Sequence, residues 1–198
     1  MSLNDAENQS PFKLFNDWFM QAKEQDPEYY NGMTIATISE QTTPDCRVVL
    51  LKEFDESGFV FYTNYQSRKG RELAMNPAIC ANFWWSQFQR QVRIEGTVEK
   101  VSEEQSDQYF YSRPEGSQLA AIASSQSQPI DSFDALEARY QSIAEQHKSA
   151  PIKRPSHWGG YKITPVRIEF WQGLQHRLHH RLVFHWQNST WHTQVLQP

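Results

Sequence analysis

The residues best equipped for chemistry in this chain of 198 residues are basic, and they stand beside expected strand and helix ends. Arg47 and Lys52 bracket the apolar run Val48, Val49, Leu50 and Leu51, and Arg68 and Lys69 follow Ser67 at an expected helix start. A helix N-terminus offers free N–H groups and the positive end of its dipole, and both favour a phosphate. An arginine adds a planar fork that can grip two phosphate oxygens. The same spacing also suits a solvated helix start. Gln91, within RQVRIEG, and the pair Gln126 and Ser127 are neutral hydrogen-bonding groups. A planar heterocycle with a polar edge, a flavin among them, needs such groups, although each also suits a surface strand or a turn. The tract HRLHHR at 176–181 is dense in His and Arg and raises the question of a metal. On a strand successive side chains alternate between faces, which sends His179 and His180 opposite ways. With no carboxylate or thiolate close in sequence, a metal site is not expected.

No GxGxxG, P-loop, HExxH or GxSxG motif occurs, so any cofactor must be held by something less regular. The net charge of -4 offers no general basic field for nucleic acid. An anion site must therefore be a local cluster. Cys46 and Cys80 form no CxxC pair and read as free thiols of a reducing compartment. No apolar run is long enough to cross a bilayer, and MSLNDAENQS lacks a signal-peptide pattern. The cytoplasm is the expected location, and the sequons at Asn8 and Asn188 are then chance matches. Aromatic residues reach 14%, seven of them Trp, which suits a barrel core, an interface or a planar ligand.

The elements that position these residues are mostly β. A first helix is expected from Ser10 and Pro11, with Phe12, Phe15, Phe19 and Ala22 on one face. Strands are expected over 33–38, 47–54, 58–64, 79–85 and 90–101, with a hairpin at Glu56-Ser57-Gly58. A short helix RKGRELAM, capped by Ser67, lies between the third and fourth. Ser102 and Gln105 form a capping box for a helix to about Ser112. Shorter helices follow over 117–124 and 136–147, then strands over 161–164, 166–171, 177–186 and 191–196. No βαβ alternation appears. The pattern fits an α+β chain built on an antiparallel barrel with peripheral helices.

Taken in order, RVVLLK (47–52), FYTN (61–64), SRKGRE (67–72), RQVRIEG (90–96), YFYSRPEGSQ (109–118), SSQS (124–127), HWGGY (157–161), FWQG (170–173) and RLHHR (177–181) resemble the pyridoxamine 5′-phosphate oxidase family. The likeness runs from about Phe12 to the C-terminal LQP. It implies an FMN-binding split barrel, a Greek-key antiparallel barrel, occupying residues 1–198 as one domain. Residues 157–198 resemble the family's dimerisation region, and residues 1–11 are left open to disorder. It implies a homodimer with two FMN sites at the interface.

By resemblance, Arg47, Val48, Val49, Leu50, Leu51, Lys52, Tyr62, Thr63, Arg68, Lys69, Gln91, Gln126, Ser127, Trp171 and Arg181 are FMN-binding positions, with Arg68 and Lys69 on the phosphate. Lys52, Tyr109, Arg113 and Ser117 match the set that binds the substrate's phosphate. Arg177 and His179 match the catalytic pair that covers the substrate at the flavin face. The implied reaction oxidises pyridoxamine or pyridoxine 5′-phosphate to pyridoxal 5′-phosphate while dioxygen becomes hydrogen peroxide. A related oxidase of phenazine type and a non-catalytic binder of flavin or pyridoxal phosphate are the rival expectations. Three places depart from the family pattern. His180 replaces an acidic residue, Ala121-Ile122-Ala123 replaces GAW, and residues 1–11 lack the arm's Arg and Tyr.

Overall fold

The computed structural model describes Leu3 and residues 9–198. The expectation for the first eleven residues therefore falls mostly outside the described ones, as does the Asn8 sequon. Helix α1 (Pro11–Gln25) starts as its sequence requires: the Ser10 hydroxyl accepts from the Phe12 N–H, and Pro11 occupies the first turn. Phe12, Phe15, Trp18, Phe19 and Ala22 recur three or four residues apart and are all buried. The Phe15 ring meets Phe54, Phe59 and Phe83 at centroid distances of 4.9, 5.0 and 5.2 Å. This one helix therefore seals the core against three strands.

Those strands belong to one antiparallel sheet. In chain order they are β1 (Gly32–Ile38), β2 (Pro44–Leu50), β3 (Glu53–Asp55), β4 (Gly58–Asn64), β5 (Ala78–Trp85), β6 (Arg90–Lys100), β7 (Trp158–Gln172), β8 (His180–Gln187) and β9 (Thr190–Val195). Their order is β2-β1-β5-β6-β7-β4-β3, with β8 on β7 and β9 on β8. β7 is long enough to serve two neighbours: Trp158 to Ile163 pair with β4, and Arg167 to Gln172 pair with β8. At the other end, β2 and β3 are separated only by Leu51 and Lys52. Leu51 N–H donates to Asn31 O at 2.8 Å and Lys52 N–H to Val60 O at 2.9 Å, so the chain passes from β1's side to β4's side in two residues.

Three expectations are corrected here. The run 47–54 is two strands, because the apolar stretch must turn at Leu51 to carry the chain between neighbours. Conversely, 161–164 and 166–171 belong to a single strand. Pro165 is tolerated because it lies opposite Gly96 where the β6–β7 register shifts and β7 carries the extra residue Val166, so the ladder is already interrupted. A Cβ on Gly96 would fall 2.1 Å from Thr164 O. The strand expected from 177 begins at His180 instead, since His176 and Arg177 take left-handed φ values of 58° and 61°.

Helices α2 (Arg68–Met75), α3 (Glu103–Ser112), α4 (Glu115–Ala123) and α5 (Phe133–His147) lie outside the sheet pairings. Ser67, Ser102 and Ser132 cap α2, α3 and α5 through their hydroxyls. The capping box of α3 is only half made: Gln105 Nε2 donates to Glu53 at 2.9 Å instead of returning to Ser102. Among the described residues no helix is long and apolar enough to cross a membrane, and no group of three or more His, Cys, Asp or Glu could hold a metal.

Strands β6, β7 and β8 are also tied by charge. Glu169 is 1% exposed and accepts from Arg181 Nε at 2.8 Å and from Arg167 Nη2 at 2.7 Å, with Arg93 Nη1 3.6 Å away. Burial alone would raise its pKa, but the hydrogen bonds from Arg167 and Arg181 outweigh it and hold the carboxyl below its ordinary value. A carboxyl depressed in the folded state stabilises fully above the unfolded value of about 4.3 and loses that contribution as pH falls through the folded value. Urea unfolding measured from pH 7 down to 3 should show a steeper acid loss of stability in the wild type than in Glu169→Gln. Identical acid slopes would count against this account.

Candidate active site

Elements β2, β4, α2, α3 and α4 enclose a cavity of about 560 Å³. From β2 come Val48, Val49 and Leu50, followed by Lys52 at the two-residue break. Strand β4 supplies Tyr62, Thr63 and Asn64, and the first turn of α2 supplies Lys69. Tyr109 belongs to α3, Arg113 and Pro114 to the α3–α4 junction, and Ser117 to α4, with Gln126 beyond it. The break at Leu51–Lys52 matters locally: it turns Leu51 into the core at 2% exposure while Lys52 reaches the cavity. At α2, a Cβ on Gly70 would fall 2.2 Å from Tyr65 O, so a glycine lets the helix start approach the preceding loop and sets Lys69 in the wall.

Among the described residues three cations line the cavity, Lys52, Lys69 and Arg113, and no carboxylate does. Lys69 is 8% exposed; its ammonium donates to Thr63 Oγ1 at 3.3 Å and Gln126 Oε1 at 3.4 Å. Burial, then the charge of Arg47, pushes its pKa down. Burial also lowers Arg113, whose Nη1 is a buried donor with no hydrogen-bond partner. The Arg113 guanidinium lies 4.6 Å from the Trp158 ring centroid, and Lys52 Nζ lies 5.9 Å from that of Tyr109. Tyr62 stacks on Tyr109 at 3.9 Å between centroids and donates to Glu53 Oε1 at 2.7 Å. Burial and that bond drive its pKa far above the usual phenol value, so it acts only as a neutral donor. Three cations, one with a buried donor left unbonded among the described residues, and aromatic faces beside them make a receptor for a planar anionic molecule.

Of the expected site residues, Val48, Val49, Leu50, Lys52, Tyr62, Thr63, Lys69, Tyr109, Arg113, Ser117 and Gln126 meet in this cavity. Arg47 and Arg68 do not line it. Both are held by Asp45 and Glu72. Ser127 lies in a turn with φ 68°, outside the lining. Gln91, Trp171, Arg177, His179 and Arg181 lie on or beyond β6, β7 and β8 and reach no part of the cavity. They form their own group: Gln91 pairs with Trp171, Trp171 pairs with Arg181, and the His179 ring is 4.6 Å from that of Trp171. His179 Nδ1 accepts from the Leu174 N–H at 3.1 Å, which leaves Nε2 to carry the proton of a neutral ring. His179 and Arg181 line a separate recess of about 260 Å³.

Sequence reasoning missed Asn64, Pro114, Ala120, Ala121, Ser124 and Trp158 as cavity residues. Asn64, Pro114, Ser124 and Trp158 lay within the motifs FYTN, YFYSRPEGSQ, SSQS and HWGGY without being singled out, and Ala120 carried no signal. It also missed Asp45 and Glu72, although the Arg68–Glu72 spacing of four on a helix was a visible pairing cue.

Comparison with known proteins agrees with this architecture. Residues 21–147 match the family described as pyridoxamine 5′-phosphate oxidase, and residues 158–198 match the pyridoxine 5′-phosphate oxidase C-terminal dimerisation region. A pyridoxine/pyridoxamine 5′-phosphate oxidase of Gloeothece citriformis is 50% identical over 198 residues, 99% of this chain and 92% of that one. The crystal structure of PhzG from Burkholderia lata, in complex with tetrahydrophenazine-1-carboxylic acid, matches with a TM-score of 0.90 at 27% identity, over 98% of this chain and 95% of that one. A pyridoxamine 5′-phosphate oxidase-related, FMN binding protein from Nostoc punctiforme shares the fold, with a TM-score of 0.77 at 15% identity over 96% of this chain and 100% of that one. This chain therefore belongs to the pyridoxamine 5′-phosphate oxidase family and has its split-barrel fold.

Proposed function

We propose that this protein is an FMN-dependent oxidase that converts pyridoxamine 5′-phosphate or pyridoxine 5′-phosphate to pyridoxal 5′-phosphate, with dioxygen reduced to hydrogen peroxide. The observation that carries the reading is a cavity that, among the described residues, has three cations, no lining carboxylate and an orphaned Arg113 donor. Such a site is incomplete without anions, and FMN and the substrate each bring a phosphate. The full-length likeness to the Gloeothece oxidase supports this substrate class over the phenazine type.

When bound, FMN supplies a hydride acceptor for the substrate's C4′ carbon and passes the electrons to dioxygen. The protein's part is to bind and orient. Lys69, Thr63 and Gln126, with Arg68, Arg47 and Ser127, are the proposed phosphate end of the FMN site, and Val48, Val49, Leu50 and Lys52 with Tyr62 its wall, Leu51 standing behind it in the core. Lys52, Tyr109, Arg113 and Ser117 are the proposed substrate-phosphate clamp. Gln91, Trp171 and Arg181 are proposed to complete the FMN site from a second copy of the chain, with Arg177 and His179 over the reacting carbon. His179 would present an Nε2 proton there and Arg177 a solvent-facing charge. Two features support the dimer: this group reaches no part of its own chain's cavity, and Val48 and Leu50 leave apolar cavity wall 67% and 43% exposed. We also propose that residues 1–198 form one domain, and we place the protein in the cytoplasm on its free Cys46 and Cys80.

Purified protein loaded with FMN should bleach when pyridoxine 5′-phosphate or pyridoxamine 5′-phosphate is added without oxygen. A flavin-replete protein that neither compound reduces would end the vitamin B6 reading. Arg113→Ala removes one charge-assisted contact of about 1.5–3 kcal/mol and should raise KM roughly ten- to a hundredfold. Its FMN content should stay near wild type, and a parallel loss of flavin would show that Arg113 serves the wrong ligand. Light scattering should give about twice the 23.3 kDa chain mass, and an active flavin-loaded monomer is the contrary result.

A further inference from the structure

Behind the cavity wall, two carboxylates that are not among the proposed FMN contacts, Asp45 and Glu72, hold two arginines that are. Glu72, on α2, is 4% exposed. Its Oε2 accepts from Thr37 Oγ1 of β1 at 2.5 Å and from Arg47 Nη2 of β2 at 3.1 Å. Its Oε1 accepts from Arg68 Nε at 3.0 Å. Asp45 Oδ2 backs the same two arginines, 2.6 Å from Arg47 Nη2 and 2.9 Å from Arg68 Nε. Thr37 also accepts from Arg47 Nη1. One buried carboxylate thus ties α2 to β1 and β2 and fixes two guanidinium groups.

The manner of fixing decides what Arg68 can do. Its hydrogen bond to Glu72 runs through Nε, its side chain is 57% exposed, and no hydrogen bond engages its terminal nitrogens among the described residues. A planar guanidinium held at Nε has its orientation set while its terminal fork stays open to a bidentate anion. The charges also divide cleanly. Arg47 and Arg68 are ion-paired with Asp45 and Glu72, whereas among the described residues the neighbouring Lys69 hydrogen-bonds only to the neutral Thr63 and Gln126 and feels those carboxylates at a distance. The unmatched cation and the open fork sit on consecutive residues.

We infer that Glu72 is a positioning residue for the cofactor phosphate, holding Arg68 by its Nε and Arg47 by its terminal nitrogen so that the phosphate meets a preset fork beside Lys69. This rests on the FMN reading above. A carboxylate near a phosphate could instead act only as a competing anion, or only as a brace for the fold, and the three roles differ in sign and selectivity.

The test compares FMN with riboflavin, which has the same ring system and no phosphate. Apoprotein of wild type and Glu72→Gln is titrated with each flavin, and binding is followed by quenching of flavin fluorescence. Loss of positioning should raise the Kd for FMN roughly tenfold or more, the scale of one charge-assisted contact. The Kd for riboflavin should stay within about twofold, which also reports that the variant is folded. Equal weakening of both flavins would make Glu72 a brace, and tighter FMN binding would make it a competitor; either overturns the inference. Thr37→Val offers a second variant that removes a bond to Glu72 without changing charge. It should also lower the preference for FMN over riboflavin, and an unchanged preference in both variants overturns the inference alone. A wild type with no preference for FMN removes the phosphate site, and the inference with it.

Discussion

A positive charge taken out of water must find an anion or a set of dipoles, and most of this protein's functional architecture answers that requirement. Arg47 and Arg68 meet it with Asp45 and Glu72, and Arg167 and Arg181 meet it with Glu169. Lys69 meets it poorly, with two neutral oxygens, and Arg113 leaves a buried donor unbonded. The contrast separates structural charge from charge kept for a ligand. Where carboxylates are supplied, arginines tie strands and helices together. Where no carboxylate of the described residues lines the cavity, its three cations leave a field suited to an incoming anion.

The barrel makes that separation possible. Strands β2 and β3 are nearly one strand, and the two-residue break between them turns Leu51 inward and Lys52 toward the cavity. Strand β7 pairs with β4 over its first half and with β8 over its second, so Trp158 and Trp171 stand at opposite ends of one strand. Trp158 lies beneath Arg113, while Trp171 belongs to the His179 and Arg181 group. A single rigid strand thus carries part of both halves of the proposed site and holds them apart within one chain. In the proposed dimer a second chain joins them, and the match to a dimerisation region over residues 158–198 covers Trp171, Arg177, His179 and Arg181 of the contributed half.

The aromatic content also divides. Phe12, Phe15, Phe19, Phe54, Phe59 and Phe83 pack edge to face or offset in the core under α1. Tyr62, Tyr109 and Trp158 form a nearly parallel stack at the cavity instead, with interplanar angles of 16° and 12° about Tyr62. Parallel faces suit cations and flat ligands; tilted rings suit dense packing.

Much was legible in the residues themselves, because local rules act over short spans. The serine caps, the helical recurrence of Phe12, Phe15, Phe19 and Ala22, and the hairpin at Ser57 need only neighbours a few positions away. The ordered family motifs named the cavity residues from Val48 to Gln126 because those motifs lie where chain segments converge. What the sequence alone left undetermined depends on partners distant along the chain. That 47–54 is two strands follows from β1 and β4 competing for one segment. That Pro165 lies within β7 follows from the register shift opposite Gly96. Glu72 carries no signal beyond its spacing from Arg68, since its role comes from Thr37 and Arg47 on two other strands. The left-handed turn at His176 and Arg177 decides that only His180 and Arg181 of HRLHHR are strand and that His179 turns its Nδ1 to Leu174. Local preference chose the elements; the burial of charge and the closing of the barrel, both long-range, decided which side chains face the cavity.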